Sequence, residues 1–170
     1  MRRLLFLLIA FALTGPGFCA VASLLQVSYG SSHKELSAVD FAKLPVVEIE
    51  AIDHGQLHCY RGIAVRDVPA LVGVPLGDDK LRGPNLALAV RVRAADGYVA
   101  AFGLAEFNPA FREHDILLVD TQDGKPLPDS AGPVRFVCPG DKRGGRWVRQ
   151  VISMEVISLS PPVTEPSSKP

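Results

Sequence analysis

Cysteine is scarce in this chain: the 170 residues include only three, at positions 19, 59 and 138. Folds that depend on disulfides are much richer in cysteine, so the core of this protein must come from apolar packing. The sequence also lacks the paired C-x-x-C pattern of structural zinc sites and the G-x-S-x-G nucleophile elbow. These absences exclude the best-defined zinc sites and hydrolases of the nucleophile-elbow type.

One short segment, DHGQLHC, does collect residue types that bind metals. It contains Asp53, His54, His58 and Cys59, but their spacing matches no strong zinc pattern. We interpret the segment as a polar turn beside an edge strand. Neighbouring side chains on a strand point to opposite faces, which excludes a catalytic pair made of His58 and Cys59.

The chain also lacks an excess of charge, with 18 basic and 18 acidic side chains. A neutral chain has no general attraction to nucleic acid, so we predict no nucleic-acid partner, and any anion site must be local.

Long apolar runs are absent except near the start. Leu4 to Leu13 is a ten-residue apolar run after Met-Arg-Arg, which is too short to span a bilayer. With the small residues Ala20 to Ala22, it predicts a signal peptide over residues 1–22. A lipoprotein signal that uses Cys19 is disfavoured by the bulky Phe18. The strongly apolar run is typical of Sec export, so we expect a periplasmic or secreted protein with no membrane span after cleavage.

Alternating and β-branched segments predict many short strands beyond residue 22. They include Leu24 to Gly30, Val46 to Ile52, the alternating segment Arg146 to Leu159, and a hairpin at Ala95-Asp96-Gly97. Short helices are predicted after Ser37 as N-cap, with Asp40 completing a weak capping box, and after Asp67 as N-cap. No repeat or internal linker interrupts the chain. We therefore predict one α+β domain over residues 23–159, built on a mixed sheet, followed by a disordered Pro/Ser-rich tail over 160–170.

The segment PGDKRGGRWVRQV, residues 139–151, concentrates glycine and positive charge. Gly144 and Gly145 allow a close backbone approach, and exposed amides of such turns bind anions. Arg146 and Arg149 are three residues apart and could converge on a phosphate in a tight turn. A solvated turn at Lys142 and Arg143, with Arg149 protecting a sheet edge, explains the same segment. Both interpretations stay open on the residues alone.

Several segments together resemble the molybdopterin-binding domain of the sulfite oxidase family. They are YRGIAVRDVPALVGV, VRVRAADGY, ILLVDTQDGKPLP, GPVRFVCPG and GGRWVRQVISMEV, in that order between Val46 and Val156. The resemblance implies the family's α+β fold and its cofactor, molybdopterin carrying molybdenum. It implies that Gly144 and Arg146 help to hold the pterin phosphate, with Gly145 and Arg149 beside them.

The chain departs from the family at the metal ligand. In the family's enzymes a cysteine thiolate that binds molybdenum follows the strand equivalent to Val46–Ile52. Here only six residues separate Ile52 from Cys59, and Cys59 lies too late to match. A Sec-type leader also disfavours a preloaded cofactor, because Sec export threads unfolded chains.

Three hypotheses follow from these observations. The preferred one is an exported, non-enzymatic module that lacks the molybdenum-ligating cysteine and binds an anionic small molecule or a periplasmic protein. The second is a minimal molybdenum-cofactor oxidoreductase in which Cys59 is recruited as the metal ligand. The third is a structural domain closed by a Cys59–Cys138 disulfide.

Overall fold

The structure, a computed structural model, describes residues 23–160. The predicted leader over 1–22 and almost all of the predicted tail lie outside the described residues. Within the described range the backbone forms ten strands, two one-turn α-helices and three 3₁₀ turns. No helix in this range is long and apolar enough to cross a membrane.

The first five strands are β1 (Ser23–Tyr29), β2 (Ser32–Ser37), β3 (Val46–Asp53), β4 (Gln56–Ala64) and β5 (Leu88–Ala94). The others are β6 (Val99–Gly103), β7 (Leu117–Gln122), β8 (Lys125–Pro126), β9 (Arg135–Val137) and β10 (Val151–Ser158). The helices are α1 (Ala38–Phe41) and α2 (Asp67–Ala70), and the 3₁₀ turns are Gly83–Ala87, Leu104–Phe107 and Gly144–Arg146.

The predicted mixed sheet with short helices is confirmed, but the class α+β overstates the helical part. Strands hold 44% of the described residues and helices 14%. The helices stay short because the chain breaks them: Pro45 follows α1 closely, and Gly73 takes a left-handed φ of +80° after α2. The fold is therefore β-rich, with helical turns as connections.

The predicted N-cap is confirmed for α1 but is wrong by one residue for α2. The capping box before α1 is present: Ser37 Oγ accepts a hydrogen bond from the Asp40 amide, and Asp40 bonds back to the Ser37 amide. At α2 the predicted cap is wrong by one residue. Arg66 occupies the N-cap position and Asp67 is the first helical residue, with no side-chain cap bond.

The first sheet has the strand order β2-β1-β10-β5-β6. Only the central β1–β10 pair is parallel, and the other pairs are antiparallel. Its inward side chains alternate with exposed ones, as shown by Leu25 and Val27 on β1 and Val90 and Val92 on β5, all of which are buried. The predicted ADG hairpin connects β5 to β6 and is confirmed.

The second sheet is antiparallel, with the order β3-β4-β7-β8 and β9 paired to β7. The strand β9 is buried on both faces, because Arg135, Phe136 and Val137 are all inaccessible. One continuous cluster of buried side chains contains residues from both sheets. The rings of Phe102 on β6 and Phe136 on β9 lie 5.5 Å apart and connect the sheets directly.

The segment before β10 is irregular, contrary to the continuous alternation that the sequence suggests from Arg146 onward. β10 begins only at Val151, because Gln150 has a left-handed φ of +47°. The Phe136 amide donates to the Val148 carbonyl, so this irregular segment is fastened to β9. The segment places Gly144 to Arg149 at the junction of the two sheets.

Candidate functional site

A tight turn of two residues ends β3 and leads into β4. β3 and β4 form a hairpin whose last pair is Asp53 and Gln56. The two connecting residues, His54 and Gly55, have φ values of +49° and +84°, as a two-residue hairpin turn requires. The predicted polar turn beside an edge strand is confirmed, since β3 is the edge of its sheet.

The glycine-rich loop faces this turn and is held by its own residues. The Trp147 indole donates to the Cys138 carbonyl at 3.1 Å, which closes the loop across its base. The Tyr98 hydroxyl donates to the Gly145 carbonyl at 2.6 Å from the other side. A Cβ added at Gly144 would come within 3.9 Å of Asp53 Oδ1, so loop and turn are in contact range.

Arg146 directs its guanidinium into a network of carboxylates, while its side chain stays 34% exposed. Its Nε and Nη2 donate to the two carboxylate oxygens of Asp141 at 2.9 and 2.8 Å, and its Nη1 donates to Glu106 at 2.7 Å. Arg112 completes the network through Asp141 and Glu106. The guanidinium also lies 4.8 Å from the Phe102 ring centroid. The side chain predicted to grip a phosphate thus holds the loop to the 3₁₀ turn 104–107.

The network lowers the pKa of the Asp141 carboxylate. Burial acts to raise the pKa of Asp141, but hydrogen bonds from Arg146 and Arg112 outweigh it and hold the pKa below its ordinary value of 3.8. Asp141 is therefore ionised at neutral pH and compensated by two guanidinium groups.

A buried arginine lies under the turn. Arg135 is only 4% exposed, and its guanidinium lies 5.7 Å from the ring centroids of both Tyr60 and Trp147. Its Nη2 donates to Asp53 at 3.1 Å, while its Nε has no partner. Burial, with a contribution from Asp53, raises the pKa of the Tyr60 hydroxyl to about 12 although Arg135 opposes it. These contacts neutralise Asp53 and fix the end of β3 against Trp147.

Between the turn and the loop lies a cleft of about 320 Å³, which we call the Gly144 cleft. Both of its carboxylates, Asp53 and Asp141, are already paired with arginines. Two exposed cations of the loop, Lys142 and Arg143, have no ion-pair partner among the described residues. The cleft is lined by Ile52, Asp53, His54, Gly55, Asp141, Lys142, Arg143, Gly144 and Trp147.

On the other side of Gly144 lies a smaller concavity of about 250 Å³. Gly145, Arg149 and Tyr98 line it, and Arg149 is exposed. The structure therefore brings Gly144, Gly145 and Arg149 to one surface, while Arg146 lies behind it. Sequence reasoning passed over Lys142 and Arg143 as solvated turn residues, although their position inside the glycine motif was a usable signal.

Neither cysteine lines the Gly144 cleft, and the two cysteines lie apart from each other. Cys59 is exposed on β4 and lines none of the cleft, whereas Cys138 is buried. Val137 pairs with Leu117, which pairs with Ala64. Cys138 is one residue further, level with Val65, so Cys59 is about six residues along the chain from that level, or roughly 20 Å.

The predicted Cys59–Cys138 disulfide is wrong, because both thiols are free and lie far beyond bridging distance. Burial raises the pKa of Cys138 to about 12, so this side chain stays a thiol. Within residues 23–160 no group of three or more His, Cys, Asp and Glu side chains is arranged to hold a metal ion.

Comparison with known proteins agrees with this architecture. Residues 31–162 match the family described as the oxidoreductase molybdopterin binding domain. A search of curated protein sequences gave no match.

Among solved structures, the chain is similar to the crystal structure of the sulfane dehydrogenase SoxCD from Paracoccus pantotrophus. The TM-score is 0.58 and the identity 17%, over 79% of this chain and 38% of that chain. The present chain thus spans well under half of that protein, and the likeness at this identity concerns the fold. The resemblance predicted from the sequence is confirmed, and the chain belongs to the oxidoreductase molybdopterin binding domain family.

Proposed function

We propose that this chain is a ligand-binding member of its family, which holds an anionic small molecule in the Gly144 cleft and has no cysteine ligand for molybdenum. The main observation behind this proposal is that exposed cationic side chains line the cleft and that neither cysteine does. The exposed cations Lys142 and Arg143 line the cleft beside Gly144, whereas neither the exposed Cys59 nor the buried Cys138 lines it.

The residues at the cleft fit an oxyanion. Glycine amides and guanidinium or ammonium groups are the usual partners of phosphate. The cleft's two carboxylates are each neutralised from behind, so their negative charge is compensated before a ligand arrives. Arg149 and the Gly145 backbone extend the positive surface on the far side of Gly144. A phosphate group, including that of a pterin, matches this donor set.

The same residues do not fit thiolate ligation of molybdenum. Cys59 is carried on the outward face of β4, opposite Glu50 in the ladder. Cys138 is buried as a thiol, with its Sγ 3.5 Å from the Arg146 carbonyl oxygen. Neither can reach the cleft without a rearrangement of its strand, which supports a binding role over oxidoreductase chemistry.

The test measures metal and anion binding on the same preparation. The full chain would be expressed with its own leader in a host that makes the cofactor, then assayed for molybdenum by elemental analysis and for pterin by fluorescence. We expect no stoichiometric molybdenum. Stoichiometric molybdenum that is lost in Cys59→Ser would overturn the proposal and establish the minimal oxidoreductase instead.

Anion binding would be followed with inorganic phosphate and pyrophosphate through the fluorescence of Trp147, the only tryptophan, which lines the cleft. We expect saturable binding that the double change Lys142→Ala and Arg143→Ala weakens about tenfold or more, since charge-assisted hydrogen bonds are each worth about 1.5–3 kcal/mol. The matched control is Lys34→Ala with Lys125→Ala, two exposed lysines remote from the cleft. Equal loss in both double variants, or no binding at all, would refute the site.

We further propose that the protein works in the periplasm after Sec export. The predicted cleavage after Ala22 would leave β1, which starts at Ser23, intact. N-terminal sequencing of protein from the periplasmic fraction should give Ser23 as the first residue. A chain recovered from the cytoplasm with Met1 in place would contradict this.

A further inference from the structure

One edge of the second sheet has free backbone groups. Cys59 directs its backbone toward β7, because its carbonyl accepts from the Asp123 amide at 2.7 Å and its amide donates to Asp123 Oδ1 at 3.0 Å. Its partner across the ladder, Glu50, must then direct its own N–H and C=O away from β4. With the strand's period of two, Glu48 and Ile52 do the same. Among the described residues, the outward backbone N–H and C=O groups of these three positions have no hydrogen-bond partner, although the Glu48 side chain is paired with Arg61.

A groove of about 600 Å³ runs along this edge strand, and we call it the β3 groove. Val47, Ile49 and Ala51 form its apolar side. The opposite wall consists of residues 113–115 and 139–141, and Trp147 closes one end. The space therefore follows a strand whose outer hydrogen-bonding groups are unused, which is the geometry that an added strand requires.

The groove is acidic once its internal ion pairs are discounted. Four carboxylates line it and no lysine or arginine does. Asp115 is paired with Arg66, and Asp141 with Arg112 and Arg146. The remaining two, Glu50 and Glu113, have no cationic partner among the described residues. An occupant with basic side chains would complement them.

A second copy of the chain is a poor occupant. Glu48 is already paired with Arg61, but antiparallel pairing of two β3 edges around Glu50 would bring the unpaired Glu50 side chains of both copies close together, and like charges across a strand pair are destabilising. The chain's own last ten residues, PPVTEPSSKP, contain four prolines. Proline has no amide hydrogen to donate to a strand pair, so this segment is equally unsuited.

We propose that the β3 groove docks an extended segment of a partner protein as an added strand, with basic side chains of that segment facing Glu50 and Glu113. The backbone of Glu48, Glu50 and Ile52 would supply the hydrogen bonds. The added strand would also bury exposed apolar side chains at the end of the β3–β4 hairpin. These are Ile52, which is 67% exposed, and Leu57, which is 63% exposed. This inference does not depend on the anion site.

The test uses a fluorescein-labelled nine-residue peptide of alternating lysine and valine, with blocked ends. Its matched control has the same sequence with N-methyl groups on the three central amides, which removes donors and keeps charge. Fluorescence polarisation should show the control binding about tenfold more weakly or worse, because each lost hydrogen bond is worth about 0.5–1.5 kcal/mol. Equal binding of both peptides would overturn the proposal by showing that charge alone attracts them.

Amide hydrogen exchange gives a readout that only strand addition produces. The amides of Val47, Ile49 and Ala51 face β4 and should be protected in the free protein. Those of Glu48 and Glu50 should exchange freely and become protected only with the unmethylated peptide. Protection of Glu48 and Glu50 without peptide, in protein that light scattering shows to be a dimer, would overturn the proposal in favour of self-pairing.

Charge is tested by Glu50→Gln with Glu113→Gln. We expect about threefold weaker peptide binding, in line with exposed ion pairs of about 0.2–1 kcal/mol each. The control Glu35→Gln with Asp129→Asn neutralises two carboxylates outside the groove. Equal weakening in both double variants would refute specific charge recognition at the groove.

Discussion

Gly62 occupies a position where the neighbouring strand leaves no room for a side chain. A Cβ added there would clash with the Leu118 carbonyl oxygen and lie 2.5 Å from the Val119 Cα. Both are backbone atoms, so neither can move aside as a side chain would. The register between β4 and β7 shifts at this point, between Arg61 and Gly62. The glycine of the YRG segment is therefore a packing requirement of the sheet.

Gly62→Ala should destabilise the protein by about 1–3 kcal/mol or more, the range for overpacking a close contact. Chemical denaturation would measure the loss. Gly145→Ala is the matched control, because a Cβ there meets nothing within 4 Å and should change the free energy of unfolding by less than about 0.5 kcal/mol. A Gly62→Ala protein as stable as the control would contradict the close approach of β4 and β7.

The two thiols should differ sharply in reactivity. Burial raises the pKa of Cys138 to about 12, and the thiolate is the reactive form. Brief iodoacetamide treatment of the native protein at pH 8 should therefore alkylate Cys59 and spare Cys138, as peptide mapping would show. Alkylation of both sites in urea is the control. Rapid labelling of native Cys138 would contradict its burial.

At the scale of elements, the loop from Pro139 to Trp147 is held as a unit by ionic hydrogen bonds. Asp141 accepts from Arg146 twice and from Arg112 once, and Glu106 accepts from both arginines. Asp141→Asn should lower the free energy of unfolding by about 2 kcal/mol at pH 7, since hydrogen bonds to charged groups are worth about 1.5–3 kcal/mol. Asp129→Asn, on an exposed side chain, serves as the control.

The pH dependence of that loss follows from the lowered pKa of Asp141. A carboxyl group whose pKa is lower in the folded state stabilises the fold above its unfolded pKa and loses this effect as the pH falls through the folded value. The difference between wild type and Asp141→Asn should be full above about pH 5 and should shrink below 3.8, the ordinary value. A difference that grows in acid would contradict the assignment.

The sequence predicted those helices, strands and turns whose formation depends on residues close together in the chain. The Ser37 capping box, the Asp96-Gly97 hairpin turn and the strand from Val46 depend on neighbouring residues, and all three are confirmed. The family motif was equally visible, and it led to Gly144 and Gly145 at one surface. Local pattern was insufficient at β10, where alternation suggested an earlier start than Val151.

What the sequence could not provide were pairings between distant segments. The partner of Arg146, Glu106, is 40 residues away, and that of Arg135, Asp53, is 82 residues away. The spacing of charged residues along the sequence does not predict which arginine will form an ion pair in the folded protein. The pairing of Arg146 with carboxylates, and with it the prominence of Lys142 and Arg143 at the cleft, became visible only in three dimensions.

At the scale of the whole molecule, the two sheets share one core and should unfold together. The Phe102–Phe136 contact joins them, and Trp147 lies between the loop and β3. Urea transitions followed by Trp147 fluorescence and by far-ultraviolet circular dichroism should therefore coincide. Phe136→Ala should shift both curves equally, by about 3–5 kcal/mol. Separate transitions would show that the sheets are independent units.

The parallel pairing of β1 with β10 joins the first described strand to the last. β10 lies between β1 and β5, so the first sheet lacks its central strand until residues 151–158 are available. A chain delivered from its N-terminus, whether by a ribosome or through a membrane channel, can close this sheet only after residue 158 has been delivered. Such long-range pairing makes folding slow. Until β10 pairs with β1, the hairpin of β1 and β2 lacks the strand that completes the burial of Leu25 and Val27.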